Sequence, residues 1–565
     1  MLNRRDFLEV AVALAALGGP TGRAWARTWA GGRAAGQDDL LAFEPVGNVT
    51  LLHVADIHGQ LLPLYCREPI VDPRVGEAAG LPPQLTGRAL LERYGIEPGS
   101  PEAYALTPDD FVALARDFGP VGGMDRIATL VNAIRAERPG RTLLLDGGDS
   151  LQGSYGALVT RGGDMARALG ALGVEATTGH WEFTYGAARI PELEAELGCP
   201  FLAGNVRDTT WEEEVFPATA TFERGGVPIA VIGQAFPYTP IANPRWLVPE
   251  WSFGIREREL AARVEAVRGQ GAELVVLLSH NGFDVDVKLA SRVPGIDVIL
   301  TAHPHDALPA PLQVGGTLLV ASGSHGKFLS RLDLDVAGGR VRDWRYRLIP
   351  VLADAIAPDP AMAAVVSGLR APHEAVTGRV VGRTVGPLYR RGNFNGTWDD
   401  LICRALIEER DAEIALSPGF RWGPVLLPGQ DVTVGDVYDQ TAITYPAAYR
   451  VGMTGRQLRA ILEDVADNLF NPDPYYRQGG DMVRVGGMTY EIDPRRPPGR
   501  RVGAMTLART GEAVEADRSY AVAGWASVNE DVEGPPIHDV VIGHFERHGD
   551  VEVPEPASVR LRGAG

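Results

Sequence analysis

The sequence predicts an α/β protein of two domains, and three features predict it. Short apolar, β-rich runs alternate with helical segments up to about residue 350, the pattern of stacked α/β units with both sheet faces covered. Polar residues collect at the C-terminal ends of those runs, where open α/β sheets place their sites. Beyond that point a second set of strand and helix patterns begins, separated by Gly/Pro-rich turns. At 565 residues the chain is also too long for one ordinary domain.

The elements follow in order. Residues 1–26 pair Arg4 and Arg5 with Phe7, Leu8, an apolar run and AWA at 24–26. This reads as a twin-arginine signal with a small-x-small cleavage site, and the apolar run is too short to span a bilayer. The mature protein is therefore expected in the periplasm. Residues 27–45 read as a linker and 46–352 as the first domain. Its runs are VTLLHVAD (49–56), RTLLLDGGD (141–149), VEATTGHWEF (174–183), PFLAGNV (200–206), PIAVIGQAF (228–236), ELVVLLSHN (273–281), DVILTAHPH (297–305) and TLLVASGSH (317–325). Helices are expected at 124–138 and 257–270. Residues 63–120 break the rhythm and read as an insertion near the site. Residues 353–375 read as a helical connector and 376–560 as the second α/β domain.

Composition narrows the function. A formal net charge of -18 argues against nucleic acid or an anionic membrane surface as partner. Three cysteines, Cys66, Cys199 and Cys403, leave an odd count and no CxxC, so neither a disulfide framework nor a thiolate zinc site is expected.

The chemistry gathers at strand ends. Asp56 and His58 form D-x-H; Asp149 follows two glycines; His280 closes LVVLLSH; His303 and His305 form H-x-H. His180, alone beside Trp181, reads as a core histidine, but the rest of the set gives it company. Seven mixed carboxylate and imidazole donors, without thiolate, point to manganese, zinc or iron and not copper(I). They exceed what one ion needs, so two ions about 3.5–4 Å apart, sharing a carboxylate, are expected.

D-x-H, GD, G-H-x-E, H and H-x-H together resemble the calcineurin-like metallophosphoesterases, and the second domain resembles that of the 5′-nucleotidases. More narrowly, DIHGQLLPLYCREP, GGMDRIATLV, TLLLDGGDSLQGS, TTGHWEFTYG and the paired arginines resemble the thiosulfohydrolases of the Sox sulfur-oxidation system. The resemblance implies an N-terminal four-layer sandwich, a C-terminal 5′-nucleotidase-type domain and two divalent ions, manganese first, bridged by Asp149. It implies hydrolysis of a thiosulfonate carried on the C-terminal cysteine arm of a SoxYZ-type carrier protein. A monomer with no nucleic-acid or membrane partner is expected.

In the nucleotidase pattern G-N-H-E, the Asn binds metal and the His protonates the leaving group, held by a later aspartate. Here His180 falls on the Asn position and Trp181 on the catalytic His. Thr184 and Tyr185 stand near the aspartate's place. Arg421 in SPGFRWG matches the phosphate-binding arginine and is expected to grip the anion; Arg390 and Arg391 are the reserve candidates. Asn393 or Asn395 is expected to line the domain cleft. Tyr155, Tyr185 and Trp181 are expected to wall a channel for a peptide arm, with His325 behind the ligands. Two other readings stay open. One is a periplasmic 5′-nucleotidase, which needs a base-stacking pair such as Phe420 with Tyr475 or Tyr476. The other is a non-catalytic metal-binding assembly protein, against which the complete ligand set speaks.

Overall fold

The apolar runs of the first domain become the strands of two sheets. Val49–Val54 pairs in parallel with Thr142–Asp146, which pairs in parallel with Ala176–Thr177. On its other side Val49–Val54 meets Phe328–Val336 antiparallel, and Val341–Pro350 completes the five strands. The second sheet orders Leu312–Val314, Thr317–Ala321, Val298–Thr301, Leu274–Ser279, Val227–Gln234 and Thr219–Arg224. Alternate residues of a strand face opposite sides. Leu51, Leu143 and Leu145 of one sheet share a core with Val231, Val276 and Leu300 of the other. Leu52 and Leu144, on the opposite face, are fully buried as well. The result is two sheets face to face with helices outside, including Met124–Glu137 and Gly163–Leu172 on one side and Glu257–Gly269 and Phe283–Arg292 on the other.

The computed structural model describes residues 36–69, 85–390, 392–529 and 532–562. The signal read at 1–26, the first part of the 27–45 linker and Arg391 lie outside the described residues. The rest of that linker carries the helix Gln37–Leu41, with Leu40 buried. The chain forms two compact units. One takes residues through Leu64, Arg88–Gln152 and Val159–Ala371; the other takes Tyr65–Gly87, Gly153–Leu158 and Pro372–Gly565. Tyr155 thus belongs to the second unit, and part of the segment read as a first-domain insertion does too. The excursion closes where Pro63–Leu64 pairs with Val121–Gly122, after the helices Gly87–Tyr94, Pro101–Leu106 and Phe111–Phe118.

Two runs read as strands are strands only in small part. Only Ala176–Thr177 of 174–183 is extended, and a 3-10 helix Trp181–Tyr185 follows. The chain turns at Gly179, where a Cβ would lie 2.4 Å from Phe201 Cζ, so the bend is built around that ring. The run 200–206 makes an isolated bridge, Phe201 to Thr177, and only its Val206 enters a strand, Val206–Asp208, paired with Trp251–Phe253. Its Asn205 side chain bonds the backbone of Ala235 instead of leaving the segment to a ladder.

The connector read at 353–375 is divided: its helix Pro360–Arg370 stays with the first unit, and the second begins at Pro372. From there the helices are Glu374–Thr377, Thr397–Arg410, Val434–Thr441, Gly455–Phe470 and Ile537–His548. A four-stranded sheet orders Tyr449–Thr454, Ser519–Gly524, Ile414–Ser417 and Arg484–Gly486. Leu458, Leu462 and Phe470 of the long helix pack on Ile414, Val485 and Val522 of that sheet. Thr454 and Gln457 cap that helix reciprocally. No helix among the described residues is long and apolar enough to cross a membrane.

Candidate metal centre

The strand ends of the first unit bring all seven predicted ligands together, in two adjoining groups. One is Asp56, His58, Asp149 and His305; the other is His180, His280 and His303. Within each group the donor atoms lie within 4.8 Å of one another, and every residue is buried. His58 Nε2 faces His305 Nε2 at 2.9 Å. Asp149 joins the groups: its Oδ2 is 3.5 Å from His58 Nε2, 3.2 Å from His180 Nδ1 and 3.7 Å from His280 Nε2. Asp56 Oδ1 sits 3.7 Å from both His280 Nε2 and His305 Nε2.

The loops that present these donors are bent. Asp56, His58, Asp149, His303 and His305 all have positive φ, from 52° to 89°. Such backbone costs of order 1–3 kcal/mol per residue and persists only where the surroundings impose it. Here Asp56 N–H donates to Gly148 O (2.9 Å), His58 N–H to Asp149 O (3.1 Å) and His325 N–H to Asp56 O (2.8 Å). Gly148 is required: at φ +85° its Cβ would lie 2.6 Å from Thr178 O.

The donors fit a pair of divalent ions. His180 Nε2 and His280 Nε2 are buried and have no hydrogen-bond partner, which is unusual for a polar atom unless an ion takes its lone pair. His280 Nδ1 donates to Gly147 O at 2.7 Å, which fixes the tautomer and aims Nε2 at the two carboxylates. Burial works against charge on His280, yet Asp149 and Asp56 raise it to about 9. Burial would also raise Asp149, but His58 and His180 hold its carboxyl well below the usual range. Burial lowers His180 to about 4, so its imidazole is neutral, as a ligand must be. The cysteines Cys66, Cys199 and Cys403 are buried and lie outside both groups.

Several supporting residues lie beyond the sequence reading. Asp146 accepts from Ser150 Oγ and Thr177 Oγ1, each at 2.6 Å, and pins the Asp149 loop to the neighbouring strand. Glu182 accepts the backbone N–H groups of Ser150 (3.0 Å), Leu151 (3.2 Å) and His180 (2.7 Å), so one carboxyl ties two ligand loops. Burial raises it to about 7. His53 lies buried beneath Gly147, its Nδ1 2.6 Å from Ser322 Oγ. The GD and G-x-x-E signatures already contained Asp146's neighbourhood and Glu182; nothing in the sequence marked His53.

The other predicted residues are placed as follows. Trp181 is buried beside His180, ring centroids 5.2 Å apart, with its backbone N–H on Asp149 Oδ1 at 3.3 Å. Tyr185 is buried, its hydroxyl donating to Leu151 O at 3.0 Å, and burial keeps the phenol protonated. His325 lies 5.7 Å from the His58 ring and bonds Ser324 Oγ. In the second unit, Tyr155 packs edge-on against Tyr438 and His373. Phe420 stacks on Trp422 at 4.0 Å, so one of its faces is already covered; Tyr476 is exposed. Asn393 is half-buried and its carbonyl accepts from Met482 N–H, while the Asn395 amide pairs with the Val485 backbone.

Arg421 is anchored: Nε donates to Asp481 Oδ1 (3.0 Å) and Nη2 to Gly480 O (2.5 Å), fixing the plane of its fork. Asp481 also accepts from buried Arg484 at 2.8 Å. Arg390, a reserve candidate for the anion grip, is fully buried and donates to Asp399 Oδ1 (3.1 Å) and Gln440 O (2.8 Å). Arg390→Ala removes one of two buried arginines beside Asp399, Arg484 remaining, and is expected to cost about 1–3 kcal/mol of stability, read by urea unfolding.

A family profile for the 5′-nucleotidase C-terminal domain matches residues 380–534. The chain is 25% identical to the 5′-nucleotidase of Diplobatis ommata over 427 residues, 67% of this chain and 71% of that protein. It is 24% identical to that of Bos taurus over 455 residues, 71% and 76% of the two chains. Among solved structures, a 5′-nucleotidase precursor from Thermus thermophilus shares the fold, with TM-score 0.73 at 19% identity over 92% of this chain and 100% of that one. The sulfate thiohydrolase SoxB of Thermus thermophilus, in complex with glycerol, matches with TM-score 0.89 and 36% identity over 93% of this chain and 98% of that one. At that identity over nearly the full length of both chains, the protein belongs to the SoxB-like family within the 5′-nucleotidase superfamily, a superfamily of metal-binding hydrolases.

Proposed function

We propose that this protein is a thiosulfohydrolase, hydrolysing a thiosulfonate borne on a cysteine in the C-terminal arm of a sulfur-carrier protein. The observation that carries the reading is Trp181 beside His180, at the place where the nucleotidase pattern has its proton-donating histidine. The likeness to SoxB supports it. Water's oxygen bonds to the terminal sulfone sulfur as the S–S bond breaks. The electron pair leaves with the carrier persulfide, sulfate departs, and water's protons pass to solvent; no oxidant is consumed.

Asp56, His58, Asp149, His180, His280, His303 and His305 would hold two divalent ions, manganese first with zinc or iron as alternatives, which when bound would supply charge to acidify water and polarise the sulfonate. The chain's own groups position the rest. Asp149 stays ionised between the two ligand groups, and His280 is oriented by Gly147 O. Arg421, fixed by Asp481, is assigned the grip on the sulfonate oxyanion, as a guanidinium forks onto a tetrahedral anion. The indole of Trp181 is a hydrogen-bond donor that does not release a proton near neutral pH. An alkoxide leaving group needs a proton; a persulfide, far less basic, needs one much less. The signal read in residues 1–26 supports a periplasmic setting for the reaction.

The second reading, phosphoester hydrolysis, is favoured by the curated 5′-nucleotidase relatives. A leaving-group series separates the two. Without a proton donor, kcat/KM for an aryl phosphate should greatly exceed that for AMP at equal metal loading. Equal rates on the two esters would mean that a general acid is present and would favour the nucleotidase reading.

A further inference from the structure

We propose that the second unit carries a separate zinc-type site formed by Glu408, His544 and His548. His544 and His548 lie four residues apart on the helix Ile537–His548 and so share one face. Glu408 projects from the helix Thr397–Arg410, which packs against it through Trp398 and Phe545. Glu408 Oε2 lies 3.0 Å from His544 Nδ1 and 3.0 Å from His548 Nε2. The three donor atoms fall within 4.8 Å of one another, and among the described residues this is the one such group outside the dinuclear centre.

Ligands about 2.0–2.1 Å from a tetrahedral ion sit about 3.3 Å apart, close to the observed spacing. Two imidazoles and a carboxylate suit zinc or a neighbouring borderline ion. The site is half built into the protein: the His544 side chain is 1% exposed, those of Glu408 and His548 35% and 44%. Three protein ligands leave a fourth position toward solvent for water. Burial holds the His544 imidazole below its ordinary value despite Glu408 beside it, which favours the neutral ligand form. An ion here ties two helices together, and its binding energy adds to the stability of the folded unit.

The alternative is a plain hydrogen-bonded His–Glu–His cluster, and zinc itself decides. Full-length wild type, His548→Ala and Glu408→Gln are dialysed to equilibrium against zinc and their metal content measured. Both variants change exposed side chains, so folding should survive, and circular dichroism checks it. Wild type should hold one zinc more per chain than either variant, and added zinc should raise its Tm more than theirs. Equal zinc content in all three proteins would overturn the site. Loss of the ion in the variants with hydrolytic rate unchanged would support it and separate it from the dinuclear centre.

Discussion

Asp149→Asn is expected to release both ions and to reduce turnover to background. One carboxylate oxygen reaches His58 in one ligand group and His180 and His280 in the other, so a single atom holds the halves together. The substitution keeps the shape but removes the charge that those imidazoles stabilise. His58→Ala removes a donor from one group alone and should retain more metal. Elemental analysis of folded protein never exposed to chelator reads both variants, with circular dichroism as the check on folding. An Asp149→Asn protein that kept its full metal content would remove the bridging role.

Arg421→Ala should lower kcat/KM by a factor on the order of 10² or more, because a charge-assisted contact to a developing oxyanion is lost. Metal content and fold should change little. Asp481 keeps Arg484 as a partner when Arg421 is gone, so no carboxylate is stranded. An unchanged kcat/KM would move the anion grip elsewhere, and Arg390 is no longer a substitute: its guanidinium is buried on Asp399.

The clustered Asp and His residues other than His180 were legible because they stand at the ends of apolar runs, where a polar side chain is least explained by packing; His180 read as a core residue until that company was counted. The runs 174–183 and 200–206 misled because threonine, phenylalanine and valine favour strands by composition. Gly179 packed on Phe201 then overrides that preference, and the override is a tertiary contact. The same limit hid the work of Asp146 and His53, which hydrogen-bond residues far along the chain; Glu182 stood in the G-H-x-E signature, but its tie between two loops did not. Arg390 stood as a reserve for the anion grip because its partner, Asp399, lies nine residues on, in the first turn of a helix. In the Glu408–His544 pair the partners are 136 residues apart, beyond the reach of any local motif.

The most direct test of the central claim is sulfate release from a synthetic peptide ending in a cysteine S-thiosulfonate, run beside AMP hydrolysis at one metal loading. The protein should release sulfate, leave a persulfide on the peptide, and turn over AMP far more slowly. AMP hydrolysis as fast as sulfate release would contradict it.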